Sequence, residues 1–77
     1  MRVWEITPKT VILKGDFLVV ESNDGKIHAH RVEEVKEIEG DTEIILRKRG
    51  NIWFSLNRYN EGLSWIKEVR LITEGKS

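Results

Sequence analysis

Isolated glycines at positions 15, 25, 40, 50 and 62 cut this chain into short segments, and that punctuation governs what it can fold into. Between them the apolar residues are mainly Ile, Val and Leu, in short runs. Such runs bounded by turn formers read as strands. Strands are predicted over 3–6, 10–13, 16–22, 26–38, 42–48, 51–56 and 64–72. Thr7-Pro8 ends the first, and Lys14-Gly15-Asp16 turns the chain after the second. Asn23-Asp24-Gly25-Lys26 is the clearest turn, because Asp-Gly suits the positive φ angles of a type I′ hairpin. Arg49-Gly50 makes a second hairpin, the polar stretch 57–62 has room for one helical turn, and 73–77 reads as a frayed tail.

One segment is ambiguous. Val32, Val35 and Ile38 recur every three residues, which suits a short helix over 31–39 ended by Gly40, and also a strand with a bulge or strong bend. So short a segment has little intrinsic helix stability, which favours the bent strand. The expected fold is all-β, a small barrel or roll over residues 1–77 as one domain, with α+β as the alternative.

At 77 residues without cysteine, the core is built without disulfides or thiolate metal sites. Three Trp and two Phe supply large buried areas. No apolar run approaches a membrane span and no signal-peptide pattern opens the chain, so a cytoplasmic protein is expected. One Met, one Ala and no Gln beside 34% charged residues is a composition that thermophiles show, although an AT-rich genome also favours Ile and Lys. The net charge is zero, yet residues 1–46 carry −4 and residues 47–77 carry +4. A bipolar surface docks a charged partner or its own copy. Opposite ends also neutralise one another within one folded chain.

Gly15-Asp16-Phe17-Leu18-Val19-Val20, Asp24-Gly25-Lys26 and Arg31-Val32-Glu33-Glu34-Val35 together resemble the opening of SH3-like and Tudor-like small barrels. In those folds Gly-Asp precedes a strand, and an Asp-Gly turn leads into a long bent one. The resemblance covers about residues 15–56 and implies an SH3-like barrel or roll. Two predicted strands precede Gly15, and the aromatic cluster of methyl-lysine readers is missing, so the resemblance implies no particular ligand.

Three groups of residues bear on function. His28 and His30 lie two apart on a predicted strand and share a face. A turn centred on Asp24-Gly25 sets Glu21 opposite His28, a partial zinc ligand set, though Glu–His contacts across strands are common without metal. Arg47, Lys48 and Arg49 at a turn, followed by Asn51, Trp53, Arg58 and Tyr59, mix cations with aromatics as small nucleic-acid-binding barrels do. Alternation puts Ile52, Phe54 and Leu56 inside and Trp53 outside. Against this reading stand the neutral net charge and the simpler role of the cations as solubilising tips. Finally, Phe17 to Val20 and Ile44 to Leu46 are apolar on both faces, so the second face needs cover from the extra N-terminal strands, from a partner protein or from a homodimer.

Ser22, Ser55, Ser64 and Ser77 lie in no nucleophile elbow, the glycines form no phosphate loop, and Glu33, Glu34, Glu37, Glu39, Asp41 and Glu43 read as a solvated acidic face. The expectation is a non-enzymatic module without cofactor. It acts through protein contacts or self-association, with nucleic-acid binding as the alternative.

Overall fold

The computed structural model describes residues 2–73, and within them seven strands and one short helix form. They are β1 (Arg2–Glu5), β2 (Phe17–Ser22), β3 (Ile27–Arg31), β4 (Glu34–Ile38), β5 (Asp41–Arg47), β6 (Ile52–Ser55), α1 (Leu56–Asn60) and β7 (Ile66–Thr73). The protein is mostly β, as its apolar runs predict. The strands make two antiparallel sheets, one of order β1-β7-β2-β3 and one of order β4-β5-β6.

One core joins the sheets. Leu18, Val20, Val69 and Leu71 point inward from the first, while Ile44, Leu46 and Phe54 point inward from the second. Ile6, Ile12, Val32 and Leu56 fill the ends of this layer. Burying each such side chain contributes about 1.5–3 kcal/mol.

The predicted strand 10–13 does not form. The Thr10 N–H goes back to the Thr7 carbonyl at 3.0 Å around Pro8, and the Leu13 N–H goes to Asp16 Oδ2 at 2.8 Å. These local bonds use donors a ladder would need. Ile12 still reaches the core, while Val11 and Leu13 face solvent.

The strand predicted over 26–38 is two strands, β3 and β4, each in a different sheet, and the alternative helix over 31–39 is absent. The chain bends where its backbone changes partner. The Val32 N–H bonds the Asp16 carbonyl at 2.8 Å, and the next N–H, of Glu33, bonds the Ile45 carbonyl at 2.8 Å. Val32 is buried at the bend and anchors it.

The hairpin register also differs. The turn at 23–25 is a three-residue loop, with Ser22 N–H to the Lys26 carbonyl at 2.9 Å and Gly25 at φ +87°. This is the glycine-bulge turn rather than type I′. Val20 therefore faces His28 and Leu18 faces His30, one residue away from the predicted pairing. The two-residue turn is instead at Glu39-Gly40, between Ile38 and Asp41, with φ +49° and +79°. A glutamate in the left-handed region is strained. Glu39→Asn, which creates the preferred Asn-Gly turn, is expected to stabilise the protein by about 0.5–1 kcal/mol. Thermal unfolding followed by circular dichroism checks this, with a rise in Tm of about 3–6 °C as the expected result.

At the C-terminal end, Thr73 belongs to β7 opposite Arg2 rather than to a tail, and residues 74–77 lie outside the described residues. No helix among the described residues is long and apolar enough to cross a membrane.

Candidate interaction surfaces

Strand alternation sends every second residue of the four-stranded sheet away from the core, and those residues line up across the strands. Val3, Ile72, Phe17 and Arg31 form one row. Glu5, Arg70, Val19 and Ala29 form the next, followed by Glu68, Glu21 and Ile27. The outward face thus carries Val3, Ile72, Phe17, Val19, Ala29 and Ile27. Val3 is 58% exposed, Phe17 38% and Ile27 64%. The expected cover from the N-terminal strands is missing, because β1 joins the sheet in plane beside β7 and extends the apolar face by Val3.

Charges share this surface. The Arg31 guanidinium sits 5.3 Å from the centre of the Phe17 ring. Arg70 pairs with Glu5 at 3.6 Å and with Glu68, and Lys67 pairs with Glu21 at 3.4 Å. A concavity of about 480 Å³ opens between Phe17, Ala29, Arg31 and Ile72.

The basic hairpin is dispersed by the fold. Arg47, Lys48 and Arg49 are exposed at the β5–β6 turn. Lys48 is held to the acidic face, its Nζ 3.2 Å from Glu34 Oε1 and its N–H donated to Glu33 Oε2 at 2.8 Å. Trp53 does face outward, as alternation predicts, but it is half-buried beside Ile45. Tyr59 leaves the candidate site. Its ring packs edge-on to Phe54 with centroids 6.0 Å apart, and its hydroxyl accepts the Val69 N–H at 3.0 Å. The α1 turn directs it into the core, where it closes the gap between the helix and β7.

Trp65 enters in its place. Its Nε1 donates to the Trp53 carbonyl at 2.7 Å, and it lines a groove of about 250 Å³ with Trp53, Asn51, Arg58 and Leu63. Sequence reasoning placed Trp65 in the last strand without a role. The surplus of tryptophans in so short a chain was the only signal, and it does not say which of them meet.

Most of the acidic stretch has structural work. Glu34 bridges Lys48 and Lys36, and these partners, Lys48 first, hold its carboxyl below the ordinary range. Glu37 accepts from Thr42 Oγ1 at 2.9 Å. Asp41 accepts from Ser55 Oγ, from the Thr42 N–H at 2.7 Å and from the Asn57 N–H at 3.3 Å. Ser55 is the N-cap of α1 and accepts the Arg58 N–H, so Asp41 fixes the start of the helix through its cap.

The one-residue register shift separates Glu21 from the histidines. Glu21 faces Ile27 on the outward side, whereas His28 and His30 share the opposite side with Val20 and Leu18. Their rings lie 6.0 Å apart between centroids. Partial burial, then the charges of His28 and Arg47, hold the His30 imidazole below its ordinary pKa. Among the described residues no group of three or more His, Cys, Asp and Glu is arranged to hold a metal ion. Comparison with protein-family models, curated proteins and solved structures returned no match.

Proposed function

We propose that this protein is a non-enzymatic, cytoplasmic binding module whose two sheets form an SH3-like roll. It acts through protein contacts made on the outward face of the four-stranded sheet, with a second copy of itself as the partner. What carries the reading is the row Val3, Ile72 and Phe17 with Val19, Ala29 and Ile27 behind it, apolar side chains aligned on a solvent face. Interspersed charges ordinarily keep such faces soluble, and apolar patches framed by polar residues mark interaction sites. Here Arg31, Arg70, Glu5 and Glu68 supply charges of both signs on the same face, which suits a self-complementary contact.

Phe17→Glu tests the reading. The side chain is outward, so the variant folds, while a buried carboxylate at a contact costs several kcal/mol. Sedimentation velocity over a range of concentrations is expected to show concentration-dependent association of the wild type and a monomer for Phe17→Glu. Identical monomeric behaviour of the two removes self-association through this face.

A second reading rests on the Trp53–Trp65 groove. Two tryptophans beside Arg58 suit stacking of unpaired bases and attraction of phosphate. Amide shifts confined to 47–65 on adding single-stranded DNA, and lost at higher salt, would favour it over the protein-binding reading.

A further inference from the structure

The free edge of β3 is self-complementary. Bonded pairs in an antiparallel ladder recur every second residue. Counting from the Ser22–Lys26 bond, the backbones of His28 and His30 bond Val20 and Leu18. The N–H and C=O groups of Ile27, Ala29 and Arg31 therefore point away from β2, along an edge with no neighbouring strand in its sheet among the described residues. This strand also lacks the usual protections of an edge: it carries no proline, no lysine and no bulge between Ile27 and Arg31.

We propose that two copies of the chain pair antiparallel along β3, about a two-fold axis at Ala29, and that the four imidazoles brought together bind a divalent transition metal ion. The inference goes beyond the sheet-face contact proposed above: it places a second seam, along the β3 edge, and names its ligand. With Ala29 opposite the partner subunit's Ala29, its outward N–H and C=O exchange a pair of bonds, and Ile27 does the same with Arg31 of the partner subunit. His28 then faces the partner subunit's His30 in a non-bonded pair, the kind in which side chains come closest, with Cβ atoms about 4.5–5.5 Å apart. No like charges meet across the seam, and the apolar outward face continues from Ala29 and Ile27 into the second copy.

The histidine geometry suits a shared ion. Two imidazoles on one tetrahedral zinc, at Zn–N of about 2.0–2.1 Å, have centroids roughly 5 Å apart. His28 and His30 stand at 6.0 Å, within reach of that by small rotations. A single chain offers two ligands and leaves the ion half coordinated. The second copy completes the set with two more, and imidazole is a good ligand for zinc, nickel and copper. The charge of Arg47 reaches His30 and opposes a bound cation, so Arg47→Gln tightens the site.

The experiment is a titration of the purified protein with zinc chloride at pH 7, followed by sedimentation velocity, with amide NMR spectra confirming that each variant is folded. Half an equivalent of zinc per chain is expected to convert the protein fully to a dimer, and EDTA to reverse any part of this that zinc caused. His28→Asn with His30→Asn abolishes the zinc response. Ala29→Pro keeps both imidazoles but removes the donor at the seam, and is expected to weaken zinc-linked dimerisation at least tenfold. Zinc that leaves the mass unchanged, binds one ion per chain without pairing, or acts equally on the double histidine variant overturns the proposal. Phe17→Glu separates the two readings: it removes metal-free association through the sheet face and leaves the zinc-driven doubling in place. A zinc failure beside a Phe17-sensitive association sinks only the metal seam.

Discussion

Phe54→Ala is expected to lower the stability by about 3–5 kcal/mol, the cost of deleting a buried aromatic and leaving a cavity. A chain of this length is held by roughly 4–12 kcal/mol in total, so the variant loses about a quarter or more of what keeps it folded. The reason is its place. Phe54 is 2% exposed on the inner face of β6, opposite Ile44, and it meets the edge of the Tyr59 ring. Removing it strips contacts from β5, from β6 and from the ring that ties α1 to β7. The matched control is Phe17→Ala, the same chemical change on the outward sheet face, expected to cost less than about 1 kcal/mol. Urea unfolding of both variants checks the pair. Equal losses would mean that the inward and outward faces have been assigned the wrong way round.

Asp41 is the second position of large effect, and its signature is a pH dependence. The Ser55 hydroxyl, then the Asn57 and Thr42 N–H groups, hold its carboxyl below the ordinary aspartate pKa, against a smaller opposing effect of burial, and the Arg58 charge adds to the lowering. A folded-state pKa below the unfolded one means that the unfolded chain binds the proton first. The stabilisation is therefore complete above the ordinary carboxylate range and is lost as the pH falls through that range towards the lowered value. Asp41→Asn keeps the shape and one acceptor but removes the charge. At pH 7 it is expected to cost about 1–3 kcal/mol, the range for hydrogen bonds to a charged group. Towards pH 2, as the wild-type carboxyl takes up its proton, the gap between the proteins narrows. Asp24, lowered chiefly by the Ser22 hydroxyl, and Glu34 leave a residual acid slope in both proteins. Chemical denaturation at the two pH values measures this, and a gap that stays constant would assign Asp41 a role independent of its charge.

Much of the local structure was legible because it depends on near neighbours. Alternation from Ile52 to Leu56 names an inward row, and Phe54 and Leu56 are indeed buried, whereas Phe17 to Val20, apolar on both faces, left open which pair faces the core, and the fold buries Leu18 and Val20. The turns at Gly25, Gly40 and Gly50 lie where isolated glycines mark them, because only a residue without Cβ takes those positive φ angles at little cost. The bend between β3 and β4 was readable from the three-residue spacing of Val32, Val35 and Ile38. The candidate site was less legible. Arg47, Lys48 and Arg49 are at a turn as expected, yet Tyr59 packs against the core and Trp65 is the aromatic that meets Trp53.

By itself, then, the sequence determined the strand-rich character, the turn positions and, over Ile52 to Leu56, the inward row. All of these follow from side-chain size, backbone freedom and the two-residue repeat of a strand. Only the tertiary structure decided where β7 sits, between β1 and β2, because that ladder joins residues far apart in the chain and no local preference selects it. The same holds for the unpaired segment 10–13, whose hydrogen bonds went to its own turn, and for the outward apolar face left uncovered by β1. One extra residue in the turn before His28 moved Glu21 to the opposite face from both histidines. A strand alternates sides at every residue, so a slip of one changes which groups can meet, and the turn geometry that sets it is stabilised by contacts beyond the turn.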